Sequence, residues 1–495
     1  MRILLINAAT VGYSRSVTAP LGLLSIASTL QAKGHAVRLY DRTVEKAKLE
    51  AVFKEFSPEL VGVSLVSFKS VYDALEVSEY AKKFSLPVVW GGPLASEIPD
   101  AVLKNSCVDL VSIGEGEATW AELAEVFGKG ETDFSSVAGI ALRDKEGKTI
   151  ITAQRNFVDL AQLPPIDWSL VDVPKYFQSS YECEKMLYLY CAKGCPHNCA
   201  FCYNKDFHRC TYRKRPLEAV LDEITLLVEN YGMDGVYFAD EMWGRNRTEM
   251  RMICDSLRSL DLKFVWGCQT RIGVFSEEDF KYMYDSGCRW VFFGVESGSE
   301  RMLQKMNKRI PYDKIEETFT NCKKAGIIAI GSFIVGFPGE TTDDVAQTVN
   351  LIEKLDTPLV NLNYFALVPG SDIYYQLIDE GKYPPITDLK ELADIRPIER
   401  NEYSFTTVPE IDLKVIRSWY MWRSFSAKSL SENTGNFSFA KKVATDAIKQ
   451  LRRSKLKDFI MSMLTSGTEF LSIIYYSHFY PSVMKKYGMG KRYDK

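Results

Sequence analysis

The amino-acid sequence predicts an α/β chain in three parts: an N-terminal doubly wound parallel sheet, a partial (β/α)6 barrel of TIM-like type, and a C-terminal, mostly helical cap. Short apolar runs alternate with segments of three-and-four apolar spacing over residues 1 to about 127. The same alternation returns from about 185 to 375. Beyond about 385 the rhythm stops, and aromatic and apolar residues cluster without a strand pattern.

In the first part, Arg2–Asn7 reads as a buried strand, Leu21–Lys33 as a helix stopped by Gly34, and His35–Asp41 as a second strand. Helix Lys48–Phe56, strand Leu60–Val66, helix Ser70–Phe84, strand Pro87–Trp90, helix Ile98–Asn105 and strand Asp109–Ile113 follow. Strands joined by short helical crossovers predict parallel pairing, and such sheets take ligands beyond the carboxyl ends of their strands. The loops at those ends, Ala8–Gly12, Ser64–Ser67, Gly91–Pro93 and Gly114–Glu117, are rich in small residues. Small residues either admit a bulky ligand close to the backbone or simply close tight turns. No G-x-G-x-x-G follows the first strand, which argues against a dinucleotide.

Val137–Arg143 and Lys148–Thr152 read as a β-hairpin, and Leu163–Trp168 as an extended linker. The expected boundaries are therefore 1–130, 131–182, 183–380 and 381–495. In the barrel part, strands are expected at Met186–Tyr190, Gly235–Phe238, Lys263–Gly267, Trp290–Gly294, Ile327–Val335 and Leu359–Phe365. The first helix opens at Pro216 and closes at Gly232. Others are expected at Thr248–Leu260, Glu277–Ser286, Ser299–Met306, Tyr312–Ala325 and Thr342–Leu355. In the last part, Trp419, Tyr420, Trp422 and Phe425 lie near basic residues, and Asp458–Met484 is apolar but broken by polar residues. That region reads as a cap on the barrel, or as a surface for a membrane or a lipophilic substrate.

Of 495 residues, 61 are basic and 64 acidic, so the net charge of -3 gives no nucleic-acid footprint. Met1–Asn7 is too short for a secretory core, and eleven cysteines with one tight cluster suit a reduced, cytoplasmic protein.

That cluster is Cys195, Cys199 and Cys202, on a loop after the first barrel strand. Thiolates at this density fit a soft metal centre. Iron–sulfur clusters usually take four cysteines, so three would leave one iron open to a small molecule. The alternative is zinc, completed from Cys191, His197, His208 and Cys210.

Cys195-x3-Cys199-x-Phe201-Cys202 resembles the signature of the radical S-adenosylmethionine (SAM) superfamily. Thr270-Arg271, Gly294–Ser297, Gly331–Glu340 and Val368–Gly370 resemble that superfamily's later motifs, in matching order. Pro20–Leu24, Gly91–Pro93 and Gly114–Glu117 resemble the Rossmann-like cobalamin-binding domain of its class B members, among them cobalamin-dependent methyltransferases and anaerobic magnesium-protoporphyrin ester cyclases. The resemblance implies a 4Fe–4S cluster on Cys195, Cys199 and Cys202, with SAM chelating the fourth iron and cleaved to a 5′-deoxyadenosyl radical. It implies SAM contacts at Phe201, Asp240, Glu241, Arg271, Glu296, Gly336 and Leu367. Cobalamin contacts are implied at Thr10, Ser64, Ser67, Gly91, Gly92, Gly114, Glu115 and Gly116. Each charged strand-end residue has a plainer reading as a salt bridge at the barrel mouth. Asp-x-His-x-x-Gly is absent, and the histidines are His35, His197, His208 and His478, so cobalamin is expected without a histidine ligand. No catalytic side chain is assigned. The leading expectation is methylation of an unactivated carbon; the runner-up is radical cyclisation, oxidation or C–C bond formation on a tetrapyrrole- or lipid-like substrate, with cobalamin used otherwise or absent. A flavodoxin- or ferredoxin-type electron donor, a monomeric state and peripheral membrane contact complete the expectation.

Overall fold

The computed structural model describes residues 1–10, 17–180, 182–355, 357, 359–390, 405–425 and 481–489. Nearly all of the apolar stretch Asp458–Met484, and the side chains of Trp422 and Phe425, lie outside the described residues. The chain divides into two compact units. One comprises Met1–Tyr176, Cys202–Ala219 and Val368–Ile395; the other comprises Phe177–Phe201, Val220–Leu367 and Arg396–Lys495.

The first unit is built on a seven-stranded sheet of β1 (Arg2–Asn7), β2 (Ala36–Asp41), β3 (Leu60–Ser64), β4 (Val88–Gly91), β5 (Leu110–Ser112), β6 (Ile140–Arg143) and β7 (Thr149–Ile151), in the order β2-β1-β3-β4-β5-β6-β7. The first five are parallel. Their runs of Ile, Leu and Val are buried, as a sheet covered on both faces requires. Its helices are α1 (Leu21–Ala32), α2 (Leu49–Phe56), α3 (Val71–Lys82), α4 (Pro93–Glu97), α5 (Pro99–Leu103), α6 (Glu117–Gly128) and α7 (Asn204–Phe207).

Three features differ from expectation. The helix expected at Ile98–Asn105 is the shorter α5, and an unanticipated α4 precedes it; each is opened by a proline that cannot donate into a preceding turn. Helix α6, not anticipated, drives Trp120 onto β3: a β-carbon at Gly62 would lie 2.4 Å from the Trp120 ring. The hairpin expected to begin a separating linker instead continues the sheet, with β6 antiparallel to β5.

The second unit holds β8 (Gln178–Ser180), β9 (Cys183–Leu189), β10 (Gly235–Phe238), β11 (Val265–Thr270), β12 (Cys288–Glu296), β13 (Ile328–Val335) and β14 (Leu359–Tyr364). Strands β9 to β14 are parallel and adjacent in chain order, and β8 adds an antiparallel edge. Between them run α8 (Leu217–Tyr231), α9 (Arg247–Ser259), α10 (Glu277–Asp285), α11 (Glu300–Lys305), α12 (Lys314–Lys324) and α13 (Thr342–Leu355). This is the expected (β/α)6 arrangement. Caps set the starts: Asn246 accepts the Glu249 N–H at 3.0 Å, and Ser276 with Asp279 forms a capping box. Gly267 leaves room for the Trp290 ring, which would come 2.1 Å from a β-carbon. Helices α14 (Asp372–Asp379), α15 (Glu410–Phe425) and α16 (Pro481–Tyr487) follow, the last two in the second unit. No described helix is long and apolar enough to cross a membrane.

Candidate active site

In the first unit the strand order changes direction between β1 and β3, the point at which an open α/β sheet receives ligands. Asp73, on the first turn of α3, organises one side. It pairs with Arg42 at 2.7 Å and accepts the Ala9 N–H at 2.6 Å. Thr10 and Ser64 are half-buried at the strand ends, and Ser67 accepts the Lys69 N–H at 3.3 Å to cap the next turn. Gly92 has φ +98°, and a β-carbon there would stand 2.8 Å from the Leu65 carbonyl oxygen. Only glycine lets the loop after β4 lie against the loop after β3. A β-carbon at Gly91 would meet nothing nearer than 3.7 Å, and Gly114, whose N–H donates to Ser96 Oγ at 2.9 Å, faces open space. Val66 is 65% exposed and Tyr72 is 45% exposed. Open backbone beside an exposed valine and tyrosine suits a large, partly apolar ring system.

Two residues expected at the ligand also have structural work. A β-carbon at Gly116 would lie 2.6 Å from Ile26, so glycine lets α6 start against α1. Glu115 pairs with Arg213 at 3.0 Å and lies 3.5 Å from His208 Nδ1, while Arg213 stacks 4.0 Å from the Phe157 ring. Of the unit's histidines, His208 lies beside Glu115, and His35 is at the amino end of the sheet, 3.4 Å from the chain's amino group.

In the second unit the expected carboxylates sit at strand ends, and each binds backbone. Asp240 Oδ1 accepts the Cys191 N–H at 2.7 Å, and Glu241 Oε2 accepts the Gly194 N–H at 2.8 Å. They hold the exit from β9 that leads to Cys195, and Cys191 is a buried strand-end residue. Arg271 donates to the Arg309 carbonyl. Glu296 ends β12 with φ +69°, a left-handed conformation that costs a non-glycine residue energy. It pairs with Lys308 at 2.8 Å, and both side chains are nearly buried, 9% and 12% exposed. The N–H of Gly336 (φ +82°) donates to Glu340 Oε2 at 2.5 Å, Leu367 is buried, and Phe201 is half-buried.

The segment Met306–Arg309 fastens the cysteine loop. The Ala200 N–H donates to the Met306 carbonyl at 2.8 Å. The Asn307 amide donates to the Asn198 carbonyl at 2.8 Å and to Asn198 Oδ1 at 3.0 Å. Burial pushes the Cys195 thiol up and Cys199 adds to this, while the His197 amide, Lys308 and Arg271 act in the opposite sense. Burial, Arg271, Lys308 and Arg309 hold the His197 imidazole down at about 4. Arg271, Lys308 and Arg309 thus set positive charge beside the cysteine loop. Cys202 is half-buried and is counted with the first unit. Among the described residues no three His, Cys, Asp or Glu side chains stand close enough together to hold a metal ion.

Residues 189–352 match the model of the radical SAM superfamily, and residues 8–124 that of the B12 binding domain. The chain carries a radical SAM domain and a B12-binding domain. This radical SAM enzyme is 29% identical over 447 residues to an uncharacterised methyltransferase of Pyrococcus horikoshii, covering 88% of this chain and 96% of that protein. It is 27% identical over 349 residues to the anaerobic magnesium-protoporphyrin IX monomethyl ester cyclase of Rubrivivax gelatinosus, covering 69% of this chain and 62% of the cyclase. Its fold matches that of the cobalamin-dependent S-adenosylmethionine radical enzyme OxsB at a TM-score of 0.70 and 15% identity, over 100% of this chain and 81% of that one.

Sequence reasoning missed Asp73, Asn307, Lys308 and Glu340. Lys308, within Asn-Lys-Arg after a helix, reads as a solvated basic end; only the need of a buried strand-end glutamate for a counter-charge could have singled it out.

Proposed function

We propose that the chain is a cobalamin-dependent radical SAM methyltransferase that methylates an unactivated carbon of a small or lipophilic molecule. The carrying observation is the pairing of a B12-binding domain with a radical SAM domain in one chain that aligns with 96% of a methyltransferase. Coverage of the cyclase is 62%, which makes cyclisation the weaker reading.

Cys195, Cys199 and Cys202 would hold the cluster, and the cationic field of Arg271 and Lys308 fits its negative charge. The loops after β1, β3, β4 and β5 would receive the corrin through backbone and apolar contacts, without a histidine on the cobalt. When bound, these groups supply the electron, the 5′-deoxyadenosyl radical and the transferable methyl group. The chain's own residues do the rest. Asp240 and Glu241 fix the backbone entering the cysteine loop. Arg271 offers a guanidinium for a ligand carboxylate. Glu296, Gly336 and Leu367 would line the remainder of the SAM site, and a flavodoxin- or ferredoxin-type protein would deliver the electron.

The test needs no substrate. The reduced, corrinoid-loaded chain is incubated anaerobically with SAM labelled in its methyl group. Label transferred to the corrinoid, with S-adenosylhomocysteine formed in equal amount, is expected. 5′-Deoxyadenosine with no S-adenosylhomocysteine contradicts methyl transfer and favours the cyclase-type reading.

A further inference from the structure

Lys308 is a buried lysine that neither the family match nor the superfamily motifs in this sequence assign. Lysine is almost never buried unless paired. Its ammonium stands 2.8 Å from Glu296 Oε1, at the carboxyl end of β12. The sequence makes room for the pair: a β-carbon at Gly294 would lie 2.8 Å from Lys308 Nζ and 2.4 Å from the Glu296 carboxylate. The backbone that carries Lys308 is the one that fastens the cysteine loop, through Met306 to Ala200 and Asn307 to Asn198. The paired cation of Lys308 is therefore carried by the same segment that fastens the cysteine loop, next in the chain to the residues bonded to Asn198 and Ala200.

We infer that Lys308 is a positioning residue that tunes the cluster: its fixed charge raises the reduction potential of the iron–sulfur centre, and its partner Glu296 moderates that effect. Reduction adds a negative charge to the centre, and a cation held nearby in a poorly screened site favours the reduced form. The one-electron change at the cluster is the only redox step, and the external donor supplies the electron. The inference rests on the reading that Cys195, Cys199 and Cys202 carry the cluster.

The experiment is an EPR-monitored potential titration of the full-length, anaerobically reconstituted chain without SAM, with iron measured on each sample. Lys308→Met should lower the ratio of reduced to oxidised cluster at a fixed poise about tenfold, equivalent to about 59 mV for one electron. Lys308→Arg keeps the charge and should restore the parental value. Glu296→Gln leaves the cation uncompensated and should shift the potential in the opposite direction to Lys308→Met. A purely structural role predicts lost iron or shifts of the same sign in both variants. If Lys308→Met loses its cluster, the sign of the Glu296→Gln shift still decides. An unchanged or lowered potential in Glu296→Gln, or an unchanged one in an iron-replete Lys308→Met, overturns the inference. A parental chain that binds no iron would instead overturn the cluster reading itself.

Discussion

At the scale of single residues, the site separates side chains that serve the cysteine loop from those that are to bear the cluster. Cys191 lies four positions before Cys195, yet its backbone is committed to Asp240 and its thiol is buried. Cys191→Ala should leave iron content at the parental level, whereas alanine at Cys195, Cys199 or Cys202 should abolish it; iron and sulfide assays on reconstituted protein check this. Glu340 gives a pH prediction. Burial, with Asp344 adding to it, raises its carboxyl from 4.5 to about 8, against the pull of the Gly336 and Phe337 amides and Arg301. Among the described residues its Oε1 meets no hydrogen-bond donor. Because the folded state holds this proton more tightly than the unfolded chain, the stabilisation is complete below about 4.5 and is lost as pH rises toward 8. Glu340→Gln should flatten the fall in Tm across that window and raise Tm at its alkaline end; parallel curves for parent and variant would mean that the carboxyl is ionised throughout. The three cysteines single themselves out in the sequence, because such a spacing is rare by chance. Glu340 and Lys308 do not, since in a sequence a buried charge looks like an exposed one.

At the scale of elements, the apolar runs located every parallel strand of both sheets: those of the first are covered on both faces and apolar along their length, and those of the second keep apolar residues at alternate, buried positions. Helix α6 escaped. Its Trp120 packs on β3 through a contact that only Gly62 permits, and a glycine in a strand reveals nothing of what fills the space beside it. The β6–β7 hairpin was visible as a hairpin, but its attachment to β5 is a long-range pairing that local pattern does not encode. Gly62→Ala should therefore overpack this contact and cost about 1–3 kcal/mol of stability, read by chemical denaturation of the full chain. An equally stable variant would show that α6 can shift without penalty. Asp240→Ala should strip the buried Cys191 amide of its acceptor, at a cost of about 1–3 kcal/mol, and loosen the cysteine loop, seen as slower cluster reconstitution.

At the scale of the whole molecule, the chain joins two cofactor-binding architectures, each with its ligand end at the carboxyl termini of parallel strands. The resemblance carried by the cysteine signature and the ordered strand-end motifs anticipated both, and the family matches fall on the same two stretches. The third stretch stayed illegible for a physical reason. Residues 426–480 mix apolar and polar side chains with no fixed period, so neither helix nor strand spacing singles out a buried face. The central claim is that one chain carries both a cluster and a corrinoid. Iron, sulfide and corrinoid analysis of the anaerobically purified, reconstituted chain tests it most directly. The account predicts four irons and one corrinoid for each chain; iron without corrinoid, after reconstitution with excess cobalamin, would contradict it.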